Sequence, residues 1–234
     1  MQREIIAGSI YHVLSRGVDK RKIFLGNEDY LRFVHDLFEF NDTESVNNLT
    51  YFFRKKSKDI ASPYILQRER KPRKLLVEIL VFCLMPNHYH LLLKPRSDDS
   101  LFKFMKKLNI GYAKYFNEKY ERRGALFEGR YKAILVNQDA HFIHIPYYIH
   151  LNPLDIKSPE WRDGEIKNYK EAMKFLETYR WSSFLDYIGK KNFPSVTQRE
   201  FLTEFFEGPG SYKKETIKWL KDMDLTEMKD TILE

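Results

Sequence analysis

Two histidines stand one residue apart in the stretch MPNHYHLLLKP, residues 85–95, directly after a Pro-Asn turn signal and before a run of leucines. Side chains of a β-strand alternate between faces, so His88 and His90 project from one side and Tyr89 from the other. Imidazole pairs are common ligands for divalent metal ions. Two ligands alone bind weakly, and a working centre needs a third donor from elsewhere in the chain with positions left open for substrate. Two buried, hydrogen-bonded core imidazoles would fit the same spacing.

A second chemistry-bearing group lies sixty residues on, in YYIHLNP, residues 147–153. Tyr148 and Asn152 are four apart and share one helical face. Asn152 offers an amide oxygen, a hard donor suited to Mg²⁺ or Mn²⁺. Tyr148 offers a phenol that, once deprotonated, attacks an electrophile covalently. Other tyrosines have weaker neighbours at that spacing: Tyr147 faces Leu151, Tyr115 faces Lys119 and Tyr112 faces Phe116. A core tyrosine followed by a helix-stopping Asn before Pro153 is the alternative reading of the segment.

The elements that must position these groups follow from periodicity. SIYHVLSR (9–16) alternates like a strand and is closed by Gly17. NEDYLRFVHDLFEFN repeats Leu31, Val34 and Phe38 at helical spacing, with Asn27 expected as its N-cap. LLVEILVFCLM and HYHLLLK read as two strands joined at Pro86-Asn87. The stretch 98–120 carries Leu101, Phe104, Met105, Leu108, Tyr112, Tyr115 and Phe116 on one face of a long helix. RGALFEGRYKAILV returns to strand, and DAHFIHIPYYIHLNP is helical with Pro146 inside it. Proline removes a backbone donor there, which predicts a kink or a fresh helix start. Short helices follow Pro153. This order predicts an α+β fold, a split βαβ, ferredoxin-like antiparallel sheet with helices on one face, plus a helical C-terminal extension. The expected division is a core over 1–155 and an extension over 156–234.

Charge bounds the partner. The 234 residues carry a formal net charge of +7, which favours a polyanionic partner. Residues 54–74 hold nine Lys or Arg against Asp59 and Glu69. With Pro63 and Pro72 in it, this stretch reads as a basic arm inserted in the core. Arg16, Lys20, Arg21 and Lys22 cluster after the first strand, and Arg130 and Lys132 flank Tyr131. These are the candidate contacts to the phosphates of such a partner, with a merely solvated basic face as the alternative. The single cysteine, Cys83, sits in an apolar run and excludes an intrachain disulfide framework. With no apolar leader and no stretch near ~18 uninterrupted apolar residues, a soluble, cytoplasmic protein with no membrane partner is expected.

Taken together and in order, MPNHYHLLLKP, LFEGRYKAILV, YYIHLNPL and YRWSSFLDYIG (179–189) resemble the HUH-type single-tyrosine transposases. The REP-associated tyrosine transposase branch is the closest in pattern. The resemblance spans roughly residues 8–190. It implies a ferredoxin-like core, with His88 and His90 as the metal-binding pair, Tyr148 as nucleophile and Asn152 as the polar third ligand. It further implies Mg²⁺ or Mn²⁺ as cofactor and single-stranded DNA as substrate, at hairpin-forming or palindromic repeats, by a monomer or homodimer. The implied reaction is nicking and strand transfer through a 5′-phosphotyrosine. Pro146 and the length of the 54–74 arm depart from the pattern without removing a reactive group. Two other functions use the same features: a non-catalytic nucleic-acid-binding protein, and a nuclease that attacks with metal-activated water.

Overall fold

The computed structural model describes residues 5–44, 73–136 and 139–222. Strand alternation decides its layers. Strand β1 (Tyr11–Arg16) pairs with β3 (His88–Pro95) and with β4 (Lys132–Leu135), and β3 pairs with β2 (Val77–Met85), every pair antiparallel. The resulting order β2-β3-β1-β4 is that of the split βαβ, ferredoxin-like arrangement. Tyr11 and Val13 of β1, Ile79, Phe82 and Leu84 of β2, and Tyr89, Leu91 and Leu93 of β3 belong to one buried core. Helices α1 (Asn27–Glu39) and α2 (Ser100–Lys119) seal that core with Phe33, Leu37, Phe104, Leu108 and Tyr112.

The opposite residues of the same strands build a second core. Leu80, Val81, Cys83 and Met85 of β2 and Leu92 of β3 pack against helix α3 (Asp139–Leu151) and the C-terminal elements. A bulge between Ile79 and Val81 lets Leu80 and Val81 both reach this side before alternation resumes at Phe82. The C-terminal elements are 3-10 turns at Asn152–Ile156 and Pro159–Asp163, then α4 (Tyr169–Leu176), α5 (Phe184–Tyr187), α6 (Glu200–Phe205) and α7 (Pro209–Asp222). The expected sheet, with two helices on one face and a helical C-terminal region, is therefore present. That region covers the second face.

The YRWSS segment has a structural task. Strand β2 lies at the edge of the sheet, and residues 181–183 run along it: Leu84 donates to the Trp181 carbonyl at 2.9 Å and Ser183 donates to the Phe82 carbonyl at 3.0 Å. Covering an edge removes a template for unwanted strand pairing.

Several boundaries differ from the sequence expectation. Helix α1 is capped at Gly26, because Asp29 rather than Asn27 accepts the N–H groups of Leu25 and Gly26, at 2.8 and 3.2 Å. Strand β4 keeps only four residues. Gly129, at φ +64°, breaks the ladder between the Gly17–Phe127 bridge and Lys132. Helix α3 runs through Pro146 as one element, so no second helix starts there. Of the 54–74 arm, only Arg73 and Lys74 fall within the described residues. Among the described residues no helix is long and apolar enough to cross a membrane.

Candidate active site

His88 and His90 share the face of β3 that turns toward α3, and Tyr89 is buried in the opposite core. The turn before them fixes the first imidazole. Asn87 donates its amide to the Lys20 carbonyl at 3.2 Å, which turns its oxygen to His88 Nδ1 at 2.7 Å. An amide oxygen only accepts, so His88 carries its proton on Nδ1 and keeps Nε2 as a lone pair. His90 is fixed by a residue outside the MPNHYHLLLKP and YYIHLNP motifs. His12 of β1 places Nε2 2.9 Å from His90 Nδ1, with the rings stacked at 5.1 Å. A proton on His90 Nδ1 leaves Nε2 as a lone pair, while the rings of His88 and His90 stand nearly perpendicular, 4.9 Å apart.

Both imidazoles are held neutral. Burial is the main cause for His88, aided by the charges of Arg16 and Arg162 and partly opposed by Asp155; together they push its pKa down to about 4. Burial, with the neighbouring histidines and the same arginines, holds His90 well below its ordinary value. Neutral imidazoles with a secured outer nitrogen are the form that binds metal.

Helix α3 brings Tyr148 against this pair. Its ring lies 6.0 Å from those of both His12 and His90. Tyr148 and Asn152 are completely buried. The four-residue spacing does bring them together: Asn152 Nδ2 donates to the Tyr148 carbonyl at 2.8 Å, which turns Oδ1 outward. That oxygen accepts from Arg162 Nη2 at 3.2 Å, and Arg162 Nη1 donates to the Tyr148 hydroxyl at 3.2 Å. Burial of Arg162 opposes its charge, but hydrogen bonds to Asp155 and Tyr148 outweigh that and raise its pKa above the ordinary arginine value.

The basic residues divide. Arg16 pairs across the strands with His88, and its buried Nε has no hydrogen-bond partner, an orphaned donor beside the histidines. Lys20, Arg21 and Lys22 are exposed on the loop that closes over the Pro86-Asn87 turn, where Ile23 donates to the Pro86 carbonyl at 2.8 Å. Gly17 makes that closure possible. A Cβ there would meet the Arg21 carbonyl and lie 2.8 Å from Ile23 Cγ2. Arg130 is exposed outside the ladder, and Lys132 stands beside Leu14, whose other neighbour is His90. Cys83 is fully buried, and burial pushes its thiol pKa up.

The donor set fits a hard divalent ion through two imidazole nitrogens and an amide oxygen. Among the described residues no three His, Cys, Asp or Glu side chains converge as a metal cluster; the Asn152 amide oxygen would supply the third donor. His12 and Arg162 were missed from sequence for different reasons. His12 had a signal, since it shares the facing parity of β1, but its partner depends on strand register. Arg162 comes from an aperiodic 3-10 turn and carried none.

A sequence model of the family of IS200-like transposases matches residues 10–152, more than half of the chain. The chain belongs to that family. The match opens just before His12 and closes on Asn152, which bears out the family expected from the ordered motifs. IS200-like transposases are DNA-cleaving and strand-transferring enzymes. Among solved structures, one of a REP-associated tyrosine transposase bound to a REP hairpin is similar, with a TM-score of 0.49 and 14% identity over 84% of this chain and 88% of that one. Comparison with curated proteins finds no significant match.

Proposed function

We propose that this IS200-like transposase nicks and rejoins single-stranded DNA through Tyr148, with a divalent ion held by His88, His90 and Asn152. The observation that carries the reading is the convergence on one sheet face of two neutral, oriented imidazoles, a tyrosine and an amide oxygen from separate segments. Mg²⁺ or Mn²⁺, when bound, would neutralise a phosphate oxygen and polarise the phosphorus. Everything else falls to side chains of this chain. His12 and Asn87 orient the two imidazoles. Arg16 offers its orphaned Nε to a phosphate oxygen.

Tyr148 Oη gives its proton to solvent water and attacks the scissile phosphorus. The P–O3′ bond breaks, the departing oxygen takes a proton as a 3′-hydroxyl, and a 5′-phosphotyrosine remains. A second 3′-hydroxyl then attacks that ester, expels the tyrosine and joins the strands without ATP. Lys20, Arg21, Lys22, Arg130 and Lys132 would grip the backbone without reading bases. Hairpin-forming repeats near the cut are the proposed targets.

Incubation of the protein with single-stranded hairpin oligonucleotides and Mn²⁺ tests the reading. Cleavage is expected to stop with Tyr148→Phe and with His88→Ala. Cleavage that survives Tyr148→Phe would instead mean attack by metal-activated water.

A further inference from the structure

Arg162 lies ten residues beyond the segment that the family match covers, yet it touches two of the groups on which the proposed chemistry depends. It is gripped from behind. Asp155 accepts from Arg162 Nε at 2.8 Å and from Nη2 at 2.6 Å, a forked pairing. The same carboxylate accepts from Trp161 Nε1 at 2.6 Å, and the guanidinium carbon lies 4.8 Å from the Trp161 ring. So anchored, the other edge of the guanidinium donates to Asn152 Oδ1 and to the Tyr148 hydroxyl. A permanent cation therefore already holds the oxygen assigned to a metal and the hydroxyl assigned to attack.

We propose that Arg162 is a built-in competitor for the divalent ion: Asn152 Oδ1 serves the guanidinium in the resting site and the metal in the loaded one. Arg162 must turn away before Asn152 can ligate or Tyr148 can be reached. This rests on the metal reading of His88, His90 and Asn152. Three facts support it. Asn152 has one amide oxygen, and its nitrogen is committed to the Tyr148 carbonyl, so the side chain gains nothing by flipping. A guanidinium cannot be neutralised by deprotonation, so only movement relieves its repulsion of an incoming dication. Finally, Arg162 retains some exposure at its side chain, 22%, so it has solvent to move into, whereas Tyr148 and Asn152 have none.

The test is Mn²⁺ binding to the full-length protein without DNA, followed by calorimetry. Arg162→Gln removes the charge and is expected to tighten Mn²⁺ binding by about tenfold, the scale of removing one nearby positive charge from a partly screened site. Structural damage would weaken binding, so a gain distinguishes competition from a scaffolding role. Equal or weaker binding by Arg162→Gln with a native circular-dichroism spectrum overturns the proposal. If that variant does not fold, Arg162→Met, which also removes the charge, decides: tighter binding supports competition, and equal or weaker binding overturns it. Wild-type affinity in His88→Ala and His90→Ala overturns the metal reading itself, and is told apart because the histidine variants then match wild type.

Discussion

His12 Nε2 lies 2.9 Å from His90 Nδ1, so a strand that carries no proposed metal ligand sets the orientation of one that does. Removing such an outer partner usually costs a metal site about 10–100-fold in affinity. His12→Ala is therefore expected to weaken Mn²⁺ binding on that scale while leaving the thermal unfolding transition cooperative. Unchanged affinity would mean that His90 is oriented by packing alone.

Asp29 is a buried carboxylate that ties the start of α1 to the end of α2. It accepts from Lys119 at 2.7 Å, from the Tyr120 and Tyr115 hydroxyls at 2.8 and 3.0 Å, and from two backbone N–H groups. Burial opposes the charge, but these donors outweigh it and hold the pKa below the ordinary carboxylate value. A carboxylate depressed in the folded state contributes stability that is complete above its unfolded pKa, about 4, and fades as pH falls through the folded value. Asp29→Asn is expected to cost about 2–4 kcal/mol near neutral pH. It should also flatten the acid limb of the stability curve measured by urea unfolding. An acid limb as steep as that of wild type would contradict this role.

The edge cover on β2 hangs partly on one hydroxyl. Ser183 Oγ accepts from the Phe82 N–H at 3.0 Å and lies 2.8 Å from His150 Nε2, whose Nδ1 meets the Tyr212 hydroxyl at 2.6 Å. Ser183→Ala leaves buried partners unsatisfied and is expected to cost about 1–3 kcal/mol in urea unfolding. Loss below about 0.5 kcal/mol, the usual range of a surface substitution, would show that the backbone pairing of residues 181–183 suffices.

The exposed cations of the loop after β1 are expected to hold phosphates rather than bases. Replacing Lys20, Arg21 and Lys22 together by Ala should weaken single-strand binding for all sequences alike. It should also reduce the slope of log affinity against log salt by about 2, at roughly 0.7 per phosphate contact. An unchanged slope would place the DNA elsewhere.

The sheet and its two flanking helices were legible because each element carries its own period. The alternation of HYHLLLK places His88 and His90 on one side and Tyr89 in the core, and the four-residue spacing places Asn152 under Tyr148. What escaped depends on contacts between elements. The His12–His90 pairing needs the β1–β3 register, in which His12 lies opposite Leu92 and diagonal to His90. The Arg162–Asp155 fork joins two successive 3-10 turns, which have no periodic signature. The cap of α1 shifted from Asn27 to Gly26 because a buried carboxylate two residues on took the N–H groups.

The central claim is that Tyr148 becomes bonded to a 5′-phosphate. The most direct measurement is mass spectrometry of proteolysed protein after incubation with a single-stranded hairpin oligonucleotide and Mn²⁺ under denaturing quench. A nucleotide mass on the peptide containing Tyr148, absent in Tyr148→Phe, is the expected result. Strand cleavage with every tyrosine unmodified, or a nucleotide on a different residue, would contradict it.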